Sequence, residues 1–465
     1  MGQAQSHRQD QTSQQAGRVV SLVAVIVGSL VLRTAASAMG ENIQFYFNAI
    51  HEAYLSPHHP LSLLIGQGRV YPISYTIGGI IIASFFAAEL VGALLFGAWS
   101  DKIGRKLFIV IGPLFGAVAV LITSLTTAFW LLIFTRLLEG LSTASNAPAT
   151  LGYLAEATSD SPKLRTRVSG LFEVATIGGI AVGFSLGGWL WREFGTAARI
   201  DGIVLTSPAF AVNALIYLFS LLILWFGIRE MKGHNSSEAL PAISPQETLR
   251  RYWHILSNPR VSGFAPAWIA INGVLGIWFN LSARILTDKS KFSSQLLVGS
   301  FTSLQAGNLR AGYALFFVLG IFLWSVLFPN LKKITAMLIG TAGLFFSCLL
   351  IFLINHQPSL GSPAITPLSL LLVVSIMVQS GFTPAALAHL ADITETQTSD
   401  RGAIMGLYSV FLGLGQFVGT SLGGIFVDWR GADGMVLITG LFGLLAAVLI
   451  VRQRKTESAL NPSAS

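Results

Sequence analysis

Twelve stretches of this chain are each apolar over about the twenty residues that a helix needs to cross the hydrocarbon core of a bilayer. They run near 19–47, 74–98, 107–127, 129–156, 168–191, 209–228, 263–285, 309–329, 334–355, 367–391, 402–427 and 433–451. Inside lipid a segment must satisfy its own backbone N–H and C=O groups, so stretches of this kind fold as helices. Composition agrees: 53% of the 465 residues are hydrophobic and 11% are charged, against roughly 25% charged in an average soluble domain. The expected fold class is all-α and integral to a membrane, with twelve transmembrane helices and the lipid bilayer as solvent.

Spacing divides the chain. Residues 1–18 are polar and Gln-rich and read as a disordered cytoplasmic tail. A first six-helix bundle covers 19–229, a polar linker with Pro241, Pro245, Lys232, Arg250 and Arg251 covers 230–262, a second bundle covers 263–452, and 453–465 is a second tail. With the N-terminus inside, nineteen Lys and Arg residues fall on the cytoplasmic side and eight outside, the latter including Arg284 and Arg310. That bias places both termini in the cytoplasm, in a cell (plasma or inner) membrane. The net charge of +8 is thereby read as orientation charge and not as a nucleic-acid surface. The single Cys348 excludes an internal disulfide and a cysteine metal cluster. Adjacent His58 and His59 lack a third ligand. Met1-Gly2 followed by Ser6 fits a loose acylation pattern, but one acyl chain adds little to many spans. There is no GxxxxGK[ST] loop for ATP, and no cofactor, metal or enzymatic chemistry is expected.

The two bundles repeat each other. Shifted by 236 residues, spans 4–5 fall on spans 10–11 without a gap: Pro148 on Pro384, Glu156 on Asp392 and Arg165 on Arg401. Gly170, Gly179, Gly183 and Gly187 fall on Gly406, Gly415, Gly419 and Gly423. Seventeen of the forty-one positions from 148 to 188 are identical, where ordinary composition would give roughly two or three. The fold is therefore expected to be two pseudo-symmetric six-helix bundles. The glycines, spaced by about one turn, are expected to pack helices closely. Repeats about an axis along the membrane normal support alternating access at their interface.

After span 2 the chain reads Gly97-Ala98-Trp99-Ser100-Asp101-Lys102-Ile103-Gly104-Arg105-Lys106. This resembles the signature loop of the major facilitator superfamily, in its residues and in its place between spans 2 and 3. With the span count, linker and duplication, the resemblance covers essentially the whole chain. It implies a secondary transporter in which Gly97, Asp101, Gly104, Arg105 and Lys106 form a gating motif. Asp101 and Arg105 would lock the two halves, and Glu156 would partner Arg105. The second half reads Pro329-Asn330-Leu331-Lys332-Lys333 at the equivalent place, without the aspartate. Arg136 in span 4 resembles the family arginine tied to proton coupling, and Glu139 stands where glutamine is commoner. The span 5 glycines resemble the antiporter motif, with Phe184 in the place of its proline.

Charges at mid-bilayer are costly, by at least about 2.5 kcal/mol each, and so mark function or tight pairing. They are read here as Arg33 in span 1, Glu89 in span 2, Arg136 and Glu139 in span 4, and Glu173 near the end of span 5. Arg33 and Arg136 are expected to line the pathway, with Glu89 or Glu139 exchanging a proton. A static ion-pair network is the competing reading. The second half offers no mid-span charge by this reading, only Asn272, Trp278, Asn280, Gln379, His389 and Gln416. Asn272, Trp278, Asn280 and Gln379 are the candidates for contact with substrate. Close to Asp392, His389 is read as a local hydrogen-bonding group. The expected activity is proton-coupled transport of a small-molecule substrate by a monomer. A lipid flippase and a non-transporting membrane sensor remain the alternatives.

Overall fold

The computed structural model describes residues 2–66, 68, 70–229, 259–289, 292, 294–395 and 401–460. Side chains are described for these except at 2–16, 94, 98, 101, 259–260, 391–395, 401–409 and 455–460. Thirteen helices and one hairpin are found among them. The first half holds α1 (Gly2–Leu55), α2 (Pro60–Ile65), α3 (Tyr75–Ile103), α4 (Arg105–Thr123), α5 (Phe129–Ala157), α6 (Pro162–Phe194), β1 (Ala198–Ile200), β2 (Ile203–Leu205) and α7 (Pro208–Gly227). The second half holds α8 (Pro259–Thr287), α9 (Ser303–Leu327), α10 (Lys333–Asn355), α11 (Ile365–Gln379), α12 (Phe382–Glu395) and α13 (Arg401–Leu460).

Ten of these helical stretches are long and apolar enough to cross a membrane. They include Ile365–Leu390, in which α11 and α12 form one interrupted crossing. Val410–Arg454 holds two crossings, because Gly431 (φ 61°, ψ −133°) breaks α13 into two limbs. A side chain would strain that backbone, and Gln295 fixes it by donating to Arg430 O and accepting from Ala432 N, both at 2.8 Å. The 29-residue α5 completes the expected twelve. Its Arg136, Glu139, Ser142, Ser145 and Asn146 lower its hydropathy, and all are buried.

Local chemistry sets the helix ends. The Ser74 and Ser161 hydroxyls accept from Ile77 N and Leu164 N to start α3 and α6. A capping box of Thr302 and Gln305 starts α9. Gly104, at φ 119°, separates α3 from α4 within the signature loop. The structure adds three details to these expectations. α1 is helical from Gly2, through residues read as a disordered tail, because no proline or long glycine run interrupts the segment. The all-α chain has a small hairpin, closed by Asp201 (φ 48°) and Gly202 (φ 83°), the backbone that a tight two-residue turn demands. Of the linker read at 230–262, residues 230–258 lie outside the described residues, and α8 already begins at Pro259.

Each half carries the same glycine seam. A Cβ on Gly179 would lie 2.6 Å from Leu30 O, and one on Gly183 2.6 Å from Thr34 O, so α6 rides on the backbone of α1. Likewise a Cβ on Gly415 would lie 2.5 Å from Ile269 O, and Gly419 sits directly on Gly273, so the first limb of α13 rides on α8. Gly187 and Gly423 extend the two seams, against Ala38 and Leu281. Gly170 does not belong to its seam, since nothing approaches within 4 Å of its Cβ position. Gly406 lies outside the residues with described side chains.

Near the terminus-bearing face, Arg18 bonds Ala157 O and, through Nη1, Asp160 Oδ2 at 2.6 Å. Those bonds, chiefly the one from Arg18 and then that from Ser159, hold the Asp160 carboxyl below its ordinary range. The contact is therefore complete above the usual aspartate range and is lost as pH falls through the lowered value. In Arg18→Ala, the carboxyl carbon resonance of Asp160 is expected to titrate at a higher pH than in the wild type.

Candidate functional site

The deep charges of the first half come together. Arg136 and Glu139, one turn apart on α5, form an ion pair with 3% and 2% of each residue exposed. From α7, Tyr217 donates its hydroxyl to Glu139 Oε1 at 3.2 Å. Its ring packs over the Cα of Gly116 in α4, where any larger residue would displace it. Arg33 of α1 is near enough for its charge to act on both Glu89 and Tyr217, though no ion pair joins Arg33 to Glu89. Arg136 Nη2 and Glu139 Oε2 are the atoms of that ion pair, and Arg136 Nε has no hydrogen-bond partner among the described residues. Four helices thus bring two cations, two carboxyls and a phenol into one neighbourhood, with Arg136, Glu139 and Tyr217 buried and Arg33 and Glu89 half-buried. Glu173, also read as a deep charge, is exposed on the outside of α6.

A second buried pair was not anticipated. Glu41 of α1 and Arg310 of α9 form an ion pair between the halves, with Glu41 fully buried and Arg310 only 5% exposed. The guanidinium also bonds Phe279 O and lies 4.3 Å from the centre of the Phe184 ring. By charge bias alone Arg310 falls on the outer side and the second half carries no deep charge. Both readings are overturned because α9 begins at Ser303, placing Arg310 two turns inside a helix. Arg284, likewise assigned outside, is buried in α8, where it donates to Asn48 Oδ1 (3.1 Å) and to the Ile73 and Ser74 carbonyls.

Every described hydrogen bond and ion pair between the halves lies toward the face opposite the termini. Gln44 and Asn48 of α1 bond the backbone of α8 at Phe279, Ala283 and Arg284. Asp428 of α13 accepts from the backbone N–H of Tyr75 and Thr76 at 3.0 and 2.8 Å, capping α3 from the other half. Glycines allow the helices to meet there: Gly79 against Thr420 O, Gly424 against Tyr75 O, Gly188 against Ser303 O and Gly307 against Phe184 O.

Among the helices of the second half is a partly open cavity of about 710 Å³. It is walled by α8 (Trp278, Phe279, Ser282), α9 (Arg310, Tyr313, Phe316), α10 (Leu344, Cys348, Ile351), α11 (Val373, Ile376, Gln379) and Thr439 of the last limb. Trp278 donates to Thr439 Oγ1 at 3.0 Å and Gln379 to the Tyr313 hydroxyl at 3.1 Å. Two of the four expected substrate-contacting residues, Trp278 and Gln379, therefore line a cavity. The other two pack helices: Asn272 bonds Trp268 O of its own helix, and Asn280 bonds Gly276 O and Thr420 Oγ1.

In the signature loop, Arg105 donates from Nε to Glu156 Oε1 at 2.8 Å and reaches Ser100 Oγ at 3.4 Å. Its guanidinium lies over Gly152, where a side chain would collide with it. The Gly97 Cβ position touches only Pro148, at 3.8 Å, and Lys106 begins α4 beside Arg105. The side chain of Asp101, and that of Asp392 beside His389, lie outside those described. His389 itself contacts Gln453 at 2.7 Å and meets the edge of Phe264. His59 caps the short α2 by accepting from Leu61 N, and burial holds its imidazole below the ordinary value.

Comparison with known proteins fits this architecture. The family model described as Major Facilitator Superfamily matches residues 21–301 and 292–465. Multidrug resistance protein 2 of Bacillus subtilis is 25% identical over 399 residues, covering 84% of this chain and 90% of that protein. Quinolone resistance protein NorA of Staphylococcus aureus is 21% identical over 385 residues, covering 82% and 88%. Among solved structures, a bacterial homolog to the human lysosomal transporter Spinster, inward-facing and unoccupied, superposes with a TM-score of 0.69 at 14% identity. It covers 95% of this chain and 97% of that one. The nucleoside transporter NupG superposes with a TM-score of 0.62 at 14% identity, covering 91% and 98%.

Proposed function

The chain belongs to the major facilitator superfamily, and from that premise we propose that it is a proton-coupled secondary transporter of a small amphipathic solute. It works by alternating access, with both termini in the cytoplasm. The observation that carries the coupling is the buried Arg136–Glu139 pair, bonded by Tyr217, with Arg33 and Glu89 on neighbouring helices. A buried carboxylate favours its charged form beside an arginine and its neutral form when that arginine is drawn away. Glu139 and Glu89 are thus the proton carriers, and Arg136 and Arg33 control them. The solute is recognised mainly in the second half, at the Trp278 and Gln379 walls.

The fit to the two drug-resistance relatives favours amphipathic compounds. Closure on the face opposite the termini corresponds to the inward-open end of the cycle. In the opposite state, Arg105 with Glu156 and Asp101 locks the cytoplasmic side. The test is flux of a fluoroquinolone in proteoliposomes with an imposed pH gradient. Glu139→Gln and Glu89→Gln are expected to reduce gradient-driven flux by at least tenfold in one or both, while counterflow without a gradient persists. Gradient-driven flux at the wild-type rate in both variants would sink the proton-carrier assignment.

A further inference from the structure

The cavity of the second half has a counterpart by pseudo-symmetry, and the counterpart is full. It is walled by α8, α9, α10, α11 and the last limb of α13, which are crossings 7, 8, 9, 10 and 12. Their equivalents, crossings 1, 2, 3, 4 and 6, enclose the largest core of the first half. There Tyr46, Phe47, Phe86, Phe210 and Tyr217 fill the space with buried rings. The same bundle position is a packed core in one half and a space of about 710 Å³ in the other. That volume falls within the range of about 300–1,000 Å³ spanned by ligand sites.

The wall has a definite chemistry. Leu, Ile, Val and Phe residues make up most of it, so an occupant must be largely apolar. Its polar groups, among them Gln305, Asn308, Ser347 and Ser369, are uncharged. No Asp or Glu lies among the described lining residues, and Arg310 is the one charged group there. The Arg310 guanidinium is held from behind by Glu41, which does not line the cavity, so the cation is the member of the pair that an occupant meets. A cationic head would meet the guanidinium with Glu41 screened behind it, whereas an anionic or neutral acceptor is attracted to the guanidinium.

We propose that this cavity binds an amphipath with an apolar body and an anionic or neutral acceptor head, set on Arg310, and excludes amphipathic cations. The proposal deepens the transport reading by naming the class of solute, but binding at the cavity stands or falls without any flux. Because the anchor also holds Glu41, occupancy acts on the contact between α1 and α9. The same chemistry is offered by a free amphipath and by an anionic phospholipid.

The experiment measures binding of radiolabelled dodecanoate to purified protein in phosphatidylcholine nanodiscs. Dodecanol and dodecyltrimethylammonium compete as neutral and cationic heads on the same chain. Dodecanoate and dodecanol are expected to bind, and the cation at least tenfold more weakly. Val373→Trp, which adds bulk from the α11 wall and leaves Arg310 in the chain, is expected to reduce dodecanoate binding at least tenfold. The double variant Glu41→Gln/Arg310→Gln, which leaves no lone buried charge, is expected to lose the preference for dodecanoate over dodecanol. Replacing a third of the lipid with phosphatidylglycerol separates the sources. Displacement of dodecanoate identifies the occupant as anionic lipid, retention identifies it as a free amphipath, and both support the site. Equal binding of dodecanoate and dodecyltrimethylammonium, or undiminished binding in Val373→Trp, overturns it. Binding as expected with no fluoroquinolone flux would reject the transport substrate and leave the site standing.

Discussion

Replacing Arg310 with Leu is expected to destabilise the protein by about 3–5 kcal/mol, the usual cost of leaving one member of a buried ion pair alone. Here the abandoned member is Glu41, which is fully buried and has no partner besides Arg310 among the described residues. The double variant Glu41→Leu/Arg310→Leu is expected to recover most of that loss, because desolvation of two charges offsets much of their attraction. Thermal unfolding of the single and double variants in one detergent measures both. A double variant as unstable as Arg310→Leu would mean that Arg310 contributes through Phe279 O and the Phe184 ring, and not through Glu41.

The second large effect is expected at the glycines, and it depends on which seam carries the change. Gly307 of α9 sits on Phe184 O across the halves, whereas Gly179 of α6 sits on Leu30 O within one half. Gly307→Leu forces the halves apart on the face opposite the termini without disturbing either bundle. Spin labels placed on that face are expected to show a longer distance as the main population, with the unfolding temperature little changed and transport lost. Gly179→Leu drives α6 off α1 and is expected to lower the unfolding temperature and the yield. Unaltered label distances in folded Gly307→Leu would show that this seam does not hold the closed state.

Sequence is most telling about this molecule where the physics is one-dimensional. Length and apolarity gave the crossings, because lipid leaves a backbone no partners but its own. Duplication foretold that α6 and the first limb of α13 use one packing mode, and Gly179, Gly183, Gly415 and Gly419 do so against equivalent helices. Arg136 and Glu139 were legible because their spacing puts them on one face. Arg310 was missed because Thr302, Ser303, Gln305 and Asn308 look like loop, although the Thr302–Gln305 cap announces a helix. Glu41 was missed although it lies inside the first apolar stretch, where any carboxylate is worth noting. The cavity had no signal at all. Its walls are ordinary apolar residues, and it exists only because α9 and α11 stand apart where α3 and α5 do not.

Cys348 gives that cavity an unplanned use. It is the only cysteine in the chain, and its side chain is in the cavity wall. A thiol reagent small enough to enter therefore has one address on the whole molecule, and nothing needs to be engineered to create it. The rate at which wild-type protein is labelled becomes a clock for access to the interior of the second half, readable as the transporter turns over.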